Sequence, residues 1–246
     1  MSKKLWSFFL VLLALFSCFK NPCGDLDDGG YNYPVDKAKG KSLEEAIEIY
    51  KIPNQLLHCI STEGLVKSCI AYPEIRMVWT HSHLQGGFDR VETMCNGFEE
   101  LWVRQDKFDA LFRLYSQLNI DRRWDDFTDL ENGRFMMNII YHELILAQNE
   151  ILLDLTPKQK LDLFQLAFDN QVSKIELKEY YGTVGMETSL AILSRIMYND
   201  QYQPFLEEYN INEILRKHVD YTKLLDEDLI NKIMTIANAY LETYKN

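Results

Sequence analysis

The sequence predicts an all-α fold, an irregular α-α superhelix or helical bundle of paired, repeat-like helices, preceded by a signal peptide and a flexible tether. Three observations carry that prediction. From Ser42 onward apolar residues recur at helical spacing, and no stretch alternates with the two-residue period of a strand. Helix starts are written out chemically in Ser42 with Glu45 and in Thr156-Pro157-Lys158-Gln159. In each, the capping side chain and the third helical side chain satisfy one another's backbone donors. Finally, Leu130 to Leu153 is apolar nearly all round, the mark of a helix covered on several sides.

At the N-terminus, Lys3 and Lys4 precede a 13-residue apolar run from Leu5 to Ser17 that stops at a small residue and a cysteine. This is the outline of a signal peptide over residues 1–17. The run is well short of the roughly 20 apolar residues a helix needs to cross a bilayer. Leu15-Phe16-Ser17-Cys18 resembles the lipobox of bacterial lipoproteins, although Phe16 is atypical for its place. The resemblance implies that Cys18 is diacylated and becomes the new N-terminus. It also implies a chain anchored to a membrane of the bacterial cell envelope, on its periplasmic or surface face.

Removing 17 of the 246 residues leaves 229, enough to bury roughly 70 to 75% of the unfolded surface without disulfides. Losing Lys3 and Lys4 moves the net charge from -11 to -13, with 24 basic against 37 acidic residues. Phosphates and anionic head groups repel such a chain, so nucleic acid is excluded as a partner and membrane attachment rests on the lipid. Of the five cysteines, at 18, 23, 59, 69 and 95, four remain if Cys18 is lipidated. They allow up to two disulfides in three connectivities, Cys59 with Cys69 being the first pairing to expect. Buried free thiols packed as small hydrophobes are the alternative. Zinc through these cysteines is disfavoured, because no Cys-x-x-Cys pair is present.

Residues 18–41 are rich in Gly, Pro and Asp, hold no period, and read as the lipidated cysteine and its tether. Asp25, Asp27 and Asp36 have the spacing of a calcium loop, but Gly29 lacks a ligand oxygen and Pro34 interrupts the exit helix, so the segment reads as a solvated acidic linker. A single helical domain then occupies 42–246. Its first helix runs from the Ser42 cap to Tyr50, a second from Pro53 to Ile60, and a third from the Ser61 cap to Tyr72, where Pro73 expels its neighbour from helical geometry.

The run Ile52-Pro53, Leu57, Ser61-Thr62-Glu63-Gly64-Leu65, Cys69 and Tyr72-Pro73, then Gly87-Phe88-Asp89 and Asn96-Gly97-Phe98-Glu99-Glu100-Leu101, resembles a set of uncharacterised helical lipoproteins of Bacteroidales-type gut bacteria. The resemblance covers about residues 50 to 118 and contains no catalytic motif. It implies the envelope address and a helical fold, and brings no active-site residues.

Leu130 to Leu153 is the expected central helix. The helix opened at Thr156 places Leu161, Phe164, Phe168, Val172 and Ile175 on one face. Further helices are expected over Gly185–Asn199, Gln203–Tyr209, Asn212–His218 and Asp226–Tyr244. The last carries Ile230, Ile233, Ala237, Tyr240 and Tyr244 as its stripe.

Candidate chemistry is sparse. His81-Ser82-His83 offers two imidazoles to one metal if the backbone is extended, but no third ligand is identifiable, and the plain reading is a polar loop. His142-Glu143 begins like a zinc-protease motif and fails at Leu146, where the second histidine belongs. Asn138, His142 and Asn149 read as the polar strip of the central helix. No nucleophile elbow, phosphate loop or dinucleotide fingerprint is present, so no catalytic residue and no cofactor is expected. Arg122, Arg123 and Trp124 stand in a charged break, where Trp and Arg suit an interface anchor. Trp124 folding back on the core, with the arginines paired to nearby aspartates, is the alternative.

These readings lead to a lipid-anchored envelope protein that holds another envelope protein on stacked helices. A lipoprotein immunity factor neutralising a toxin, and a hydrolase of unknown substrate, are the alternatives.

Overall fold

The computed structural model describes residues 29–122 and 124–244, which are helical throughout, with no strand among them. The expected signal peptide over residues 1–17, Cys18, Cys23, Asp25 to Asp28 and Arg123 lie outside the described residues. Tyr33 belongs to the packed body. Its ring is 7% exposed and meets Tyr31, Tyr50 and Tyr72 edge-on, with its hydroxyl donating to the Ser68 carbonyl at 3.1 Å. Gly30, at φ +79°, passes so close to Gly64 O and Ser68 N that a side chain would not fit. Residues 29–41, expected as tether, are therefore part of the folded body. Aromatic burial outweighs their Gly- and Pro-rich composition. Helix α1, Val35–Ala38, follows at once, and Asp36 pairs with Lys39 on its exposed side at 2.6 Å.

The expected capping box opens α2, Leu43–Tyr50. Asn54–Leu57 forms α3, a single turn where a longer helix to Ile60 was expected. In α4, Thr62–Ile70, the Ser61 hydroxyl accepts from Gly64 N, and the helix ends two residues before Tyr72-Pro73. A 3-10 turn over Ile75–Thr80 leads to α5, Leu84–Met94. The two touch at Gly87, where an added Cβ would lie 2.1 Å from the Val78 carbonyl oxygen. Asn96–Val103 is α6 and Lys107–Ser116 is α7.

The central helix proves to be two. Thr128 and Glu131 form a capping box for α8, Asp129–Leu146, and after a break at Ala147-Gln148 the chain resumes as α9, Asn149–Leu152. Two side chains take carbonyls at that break, Gln148 Nε2 that of Leu144 at 2.5 Å and Arg195 that of Ala147 at 2.8 Å. The Thr156 box and Pro157 open α10, Pro157–Glu176, as the sequence requires. Next comes α11, Lys178–Asn199, kinked at Gly182 where φ is 58°. It is followed by α12, Gln203–Ile211, α13, Glu213–Tyr221, and α14, Glu227–Glu242.

Packing centres on α11, which lies against α8, α10 and α14, while α8 also meets α4 and α7. One contiguous apolar cluster runs from Tyr33 to Leu241, with a small satellite of Ile120, Trp124, Ile139 and Tyr181. The buried face of α10 keeps most of the expected stripe, with Phe164 fully buried and Leu161, Phe168 and Ile175 half-buried against the core, but its centre is shifted. It consists of Leu163, Phe164, Ala167, Asn170, Gln171 and Lys174, whereas Val172 is 40% exposed. No helix among the described residues is long and apolar enough to cross a membrane.

Candidate functional site

An enclosed ion pair and a buried arginine organise much of the second half, and they mark off the interior from an open cleft. The first is Glu143 on α8, fully buried, with Lys174 of α10 equally buried beside it. Lys174 Nζ donates to both carboxylate oxygens, at 2.7 and 2.6 Å, and to Ser189 Oγ at 3.1 Å. The Tyr115 hydroxyl donates to Glu143 Oε1 at 2.6 Å, Thr188 Oγ1 donates to Oε2, and Ser189 donates onward to Gln171 Oε1 at 2.7 Å. Burial lowers the Lys174 pKa against the opposing pull of Glu143, and burial with the Glu143 charge raises Tyr115. Both members of the ion pair are sealed from solvent, so the cluster joins α7, α8, α10 and α11 and offers nothing to a ligand.

The buried arginine is Arg195 of α11, 8% exposed. Its hydrogen bonds go to neutral acceptors. Nε donates to Val219 O and Nη1 to Ala147 O, each at 2.8 Å, and Nη2 to Gln85 Oε1 at 2.8 Å and Thr222 Oγ1 at 3.2 Å. Ala147 caps the C-terminus of α8 and Val219 lies in the last turn of α13, so the guanidinium is met by the negative ends of two helices. Burial lowers its pKa to about 10, against the pull of Asp89 and Asp220.

Above Arg195 lies a polar cleft of about 380 Å³, reached by Gln85, Asp89 and Glu92 of α5, Glu150 of α9, Asn199 of α11 and Asp220 of α13. Gln85 is the hinge of its floor. Its Nε2 donates to Asp89 Oδ1 at 2.7 Å and Gln148 Oε1 at 2.8 Å, while its Oε1 accepts from Arg195. Burial raises the Glu92 carboxyl, the hydrogen bond from Trp102 Nε1 opposes the shift, and Glu150 and Asp89 add to it. Asn199 Nδ2 is buried without a hydrogen-bond partner. The cleft thus presents four carboxylates over one guanidinium that is already engaged. In chemical terms it suits a cationic group.

The residues singled out in the sequence do not assemble into a site. His81 and His83 do have extended backbones, but His83 Nδ1 accepts Gly86 N–H at 2.9 Å as the cap of α5, and its ring lies on Tyr221. No group of three His, Cys, Asp or Glu able to hold a metal occurs among the described residues. His142 is 5% exposed, its Nδ1 bonded to Asn138 O at 2.8 Å within the helix, and burial lowers its pKa.

Trp124 is not available as an interface anchor. It is 3% exposed, stacked on Tyr180 with centroids 5.2 Å apart and edge-on to Tyr181 and Phe135. Trp124 thus folds back on the core, the alternative reading, and Arg122 lies over the rings of Trp124, Phe127 and Phe135 in cation–π contact and donates to Asn132. The Cys59–Cys69 bridge is also absent, because Cys59 is disulfide-bonded elsewhere while Cys69 and Cys95 keep buried free thiols. Cys69 faces Cys95 across Gly97 in the core, and that contact holds it there.

Sequence reasoning missed Arg195 and met Glu143 only within the failed zinc-protease motif, though a signal existed for both. Each is the lone charge in an otherwise apolar stretch, Leu190 to Met197 and Ile139 to Leu146 apart from His142. Comparison of the chain with protein-family models, with curated proteins and with solved structures finds no match.

Proposed function

We propose that this chain is a lipid-anchored protein of the cell envelope that binds another protein there, receiving a lysine or arginine side chain of that partner in the cleft above Arg195. In this reading its helices stack as an irregular, repeat-like superhelix or bundle whose outer face carries the site. The observation that carries the proposal is the cleft itself. Asp89, Glu92, Glu150 and Asp220 line it, and Arg195 beneath them spends its hydrogen bonds on neutral acceptors. Its volume of about 380 Å³ suits one long side chain. Attraction at such a site speeds encounter and selects partners by charge.

The test is zero-length carboxyl-to-amine crosslinking in cells, followed by mass spectrometry of the tagged chain. Cys18→Ala serves as the unanchored control and Asp89→Asn with Asp220→Asn as the cleft control. The expected result is one partner whose lysines join peptides containing Asp89, Glu92, Glu150 or Asp220. Its yield falls in the cleft variant and is lost without the anchor. Crosslinks that avoid the cleft, or survive both controls undiminished, overturn the proposal. A partner that is a basic toxin would give the binding an immunity role.

A further inference from the structure

A second chemistry lies in the first half, away from the cleft. Cys69, in the last turn of α4, is fully buried, and Cys95, between α5 and α6, is 2% exposed. Their sulfurs flank the backbone of Gly97: a Cβ there would stand 3.0 Å from Cys69 Sγ and 3.4 Å from Cys95 Sγ. Only glycine leaves the space between the thiols open. The Tyr33 hydroxyl sits 3.9 Å from Cys95 Sγ. Cys95 is also among the residues lining a groove of about 510 Å³, with Ile47, Lys51, Asn96, Glu99 and Trp102, so the backbone beside the thiol pair borders open space. The same chain holds Cys59 in a disulfide and this neighbouring pair as thiols.

We propose that Cys69 and Cys95 are a redox-active dithiol that closes to a disulfide by exchange with a small-molecule disulfide entering the groove beside Cys95. Cys95 is the attacking sulfur. The hydrogen bond from the Cys69 thiol, helped by the N–H groups of Gly97 and Phe98 and by Tyr33, holds its pKa below the ordinary thiol value despite burial. Burial holds the Cys69 thiol well above that value, so Cys69 resolves. In the first step the Cys95 thiolate attacks one sulfur of the incoming disulfide. A Cys95 mixed disulfide forms, and one small thiolate leaves and takes up a proton. In the second step the Cys69 sulfur attacks Cys95 Sγ and expels the second small thiolate, which takes up the Cys69 proton and leaves as a thiol. Two protein thiols are oxidised and one disulfide is reduced to two thiols.

The experiment equilibrates the folded full chain with oxidised and reduced glutathione at a series of ratios. Remaining thiols are then alkylated in denaturant and the digest is analysed by mass spectrometry, with circular dichroism confirming the fold. The expected result is a Cys69–Cys95 linked peptide that replaces both alkylated peptides at oxidising ratios and reverses at reducing ones. Cys69→Ser traps glutathione on Cys95, whereas Cys95→Ser leaves Cys69 unmodified. Two alkylatable thiols at every ratio in the folded wild type overturn the proposal, and so does glutathione found on Cys69 in Cys95→Ser. The wild-type titration decides the question even if a serine variant fails to fold.

Discussion

Replacing Lys174 with methionine tests whether the buried ion pair of α8 and α10 holds the second half together. Methionine keeps the length of the stem and removes the ammonium. The Glu143 carboxylate then stays buried with only the Tyr115 and Thr188 hydroxyls as donors, after losing two bonds of 2.7 and 2.6 Å. Removing one partner from a buried pair costs about 3 to 5 kcal/mol, because the other charge is left uncompensated. Glu143→Met strands the Lys174 ammonium in the same way and falls in the same range.

The double variant separates pairing from packing. Two methionines bury well, so the remaining cost is that of the Tyr115 and Thr188 hydroxyls deprived of an acceptor, about 1 to 2 kcal/mol each. The double variant is therefore expected near 3 kcal/mol, against about 8 for independent effects. Urea unfolding followed by circular dichroism measures all three. Single variants that each lose less than about 1 kcal/mol, or a double variant as unstable as the two singles together, would refute the reasoning.

His142 gives a pH test. Burial lowers its pKa below 6.5, so on acidification the unfolded chain binds a proton that the folded chain refuses. Stability falls as pH drops from 6.5 through the folded-state value, and His142→Asn, which keeps a donor for Asn138 O, should flatten that part of a denaturation-against-pH profile. Arg195→Met leaves the carbonyls of Ala147 and Val219 without their donor, and urea midpoints should show a loss of about 2 to 5 kcal/mol. Gly87→Ala drives a methyl into the Val78 carbonyl, where backbone has to move. A loss of about 1 to 3 kcal/mol is expected, and an unchanged thermal midpoint would show that the α5 contact is loose.

The elements themselves were legible because they are encoded locally. Thr156, Pro157 and Gln159 specify a helix start regardless of surroundings, and Ser42 with Glu45 does the same. What failed was every inference requiring knowledge of a distant partner. The face of α10 was read from its apolar residues, so the reading included the exposed Val172 and passed over Lys174. Lys174 lies inward only because Glu143, 31 positions earlier, waits for it, and no periodicity records that. The tether was read to Lys41 for the same reason: Tyr33 looks like linker until Tyr50 and Tyr72 are placed around it. Trp124 likewise stood open between an interface anchor and a ring folded back on the core, because its covers, Tyr180 and Tyr181, arrive more than 50 residues later. The cleft was the least legible, since its carboxylates come from α5, α9 and α13.

Lys174 and Arg195 differ in a way that bears on the binding proposal. Lys174 is neutralised by a carboxylate brought inside with it, so the α8–α10 interior is electrostatically closed. Arg195 brings no carboxylate inside. Helix carbonyls and side-chain oxygens satisfy its hydrogen bonds, and Asp89 and Asp220 act on it only at a distance. The fold thereby fixes the floor of the cleft rigidly, through one side chain that ties α8, α11 and α13 to Gln85, while the carboxylates at its rim are left largely unneutralised. Burial raises the Glu92 carboxyl, and the nearby Glu150 and Asp89 charges add to that shift, so repulsion from its neighbours is one part of its cost of ionisation. A cation from outside relieves that repulsion. Raising ionic strength should accordingly weaken partner binding by screening the rim, whereas the urea stability of the folded chain, set by the enclosed pair and the carbonyl-bound arginine, should change far less.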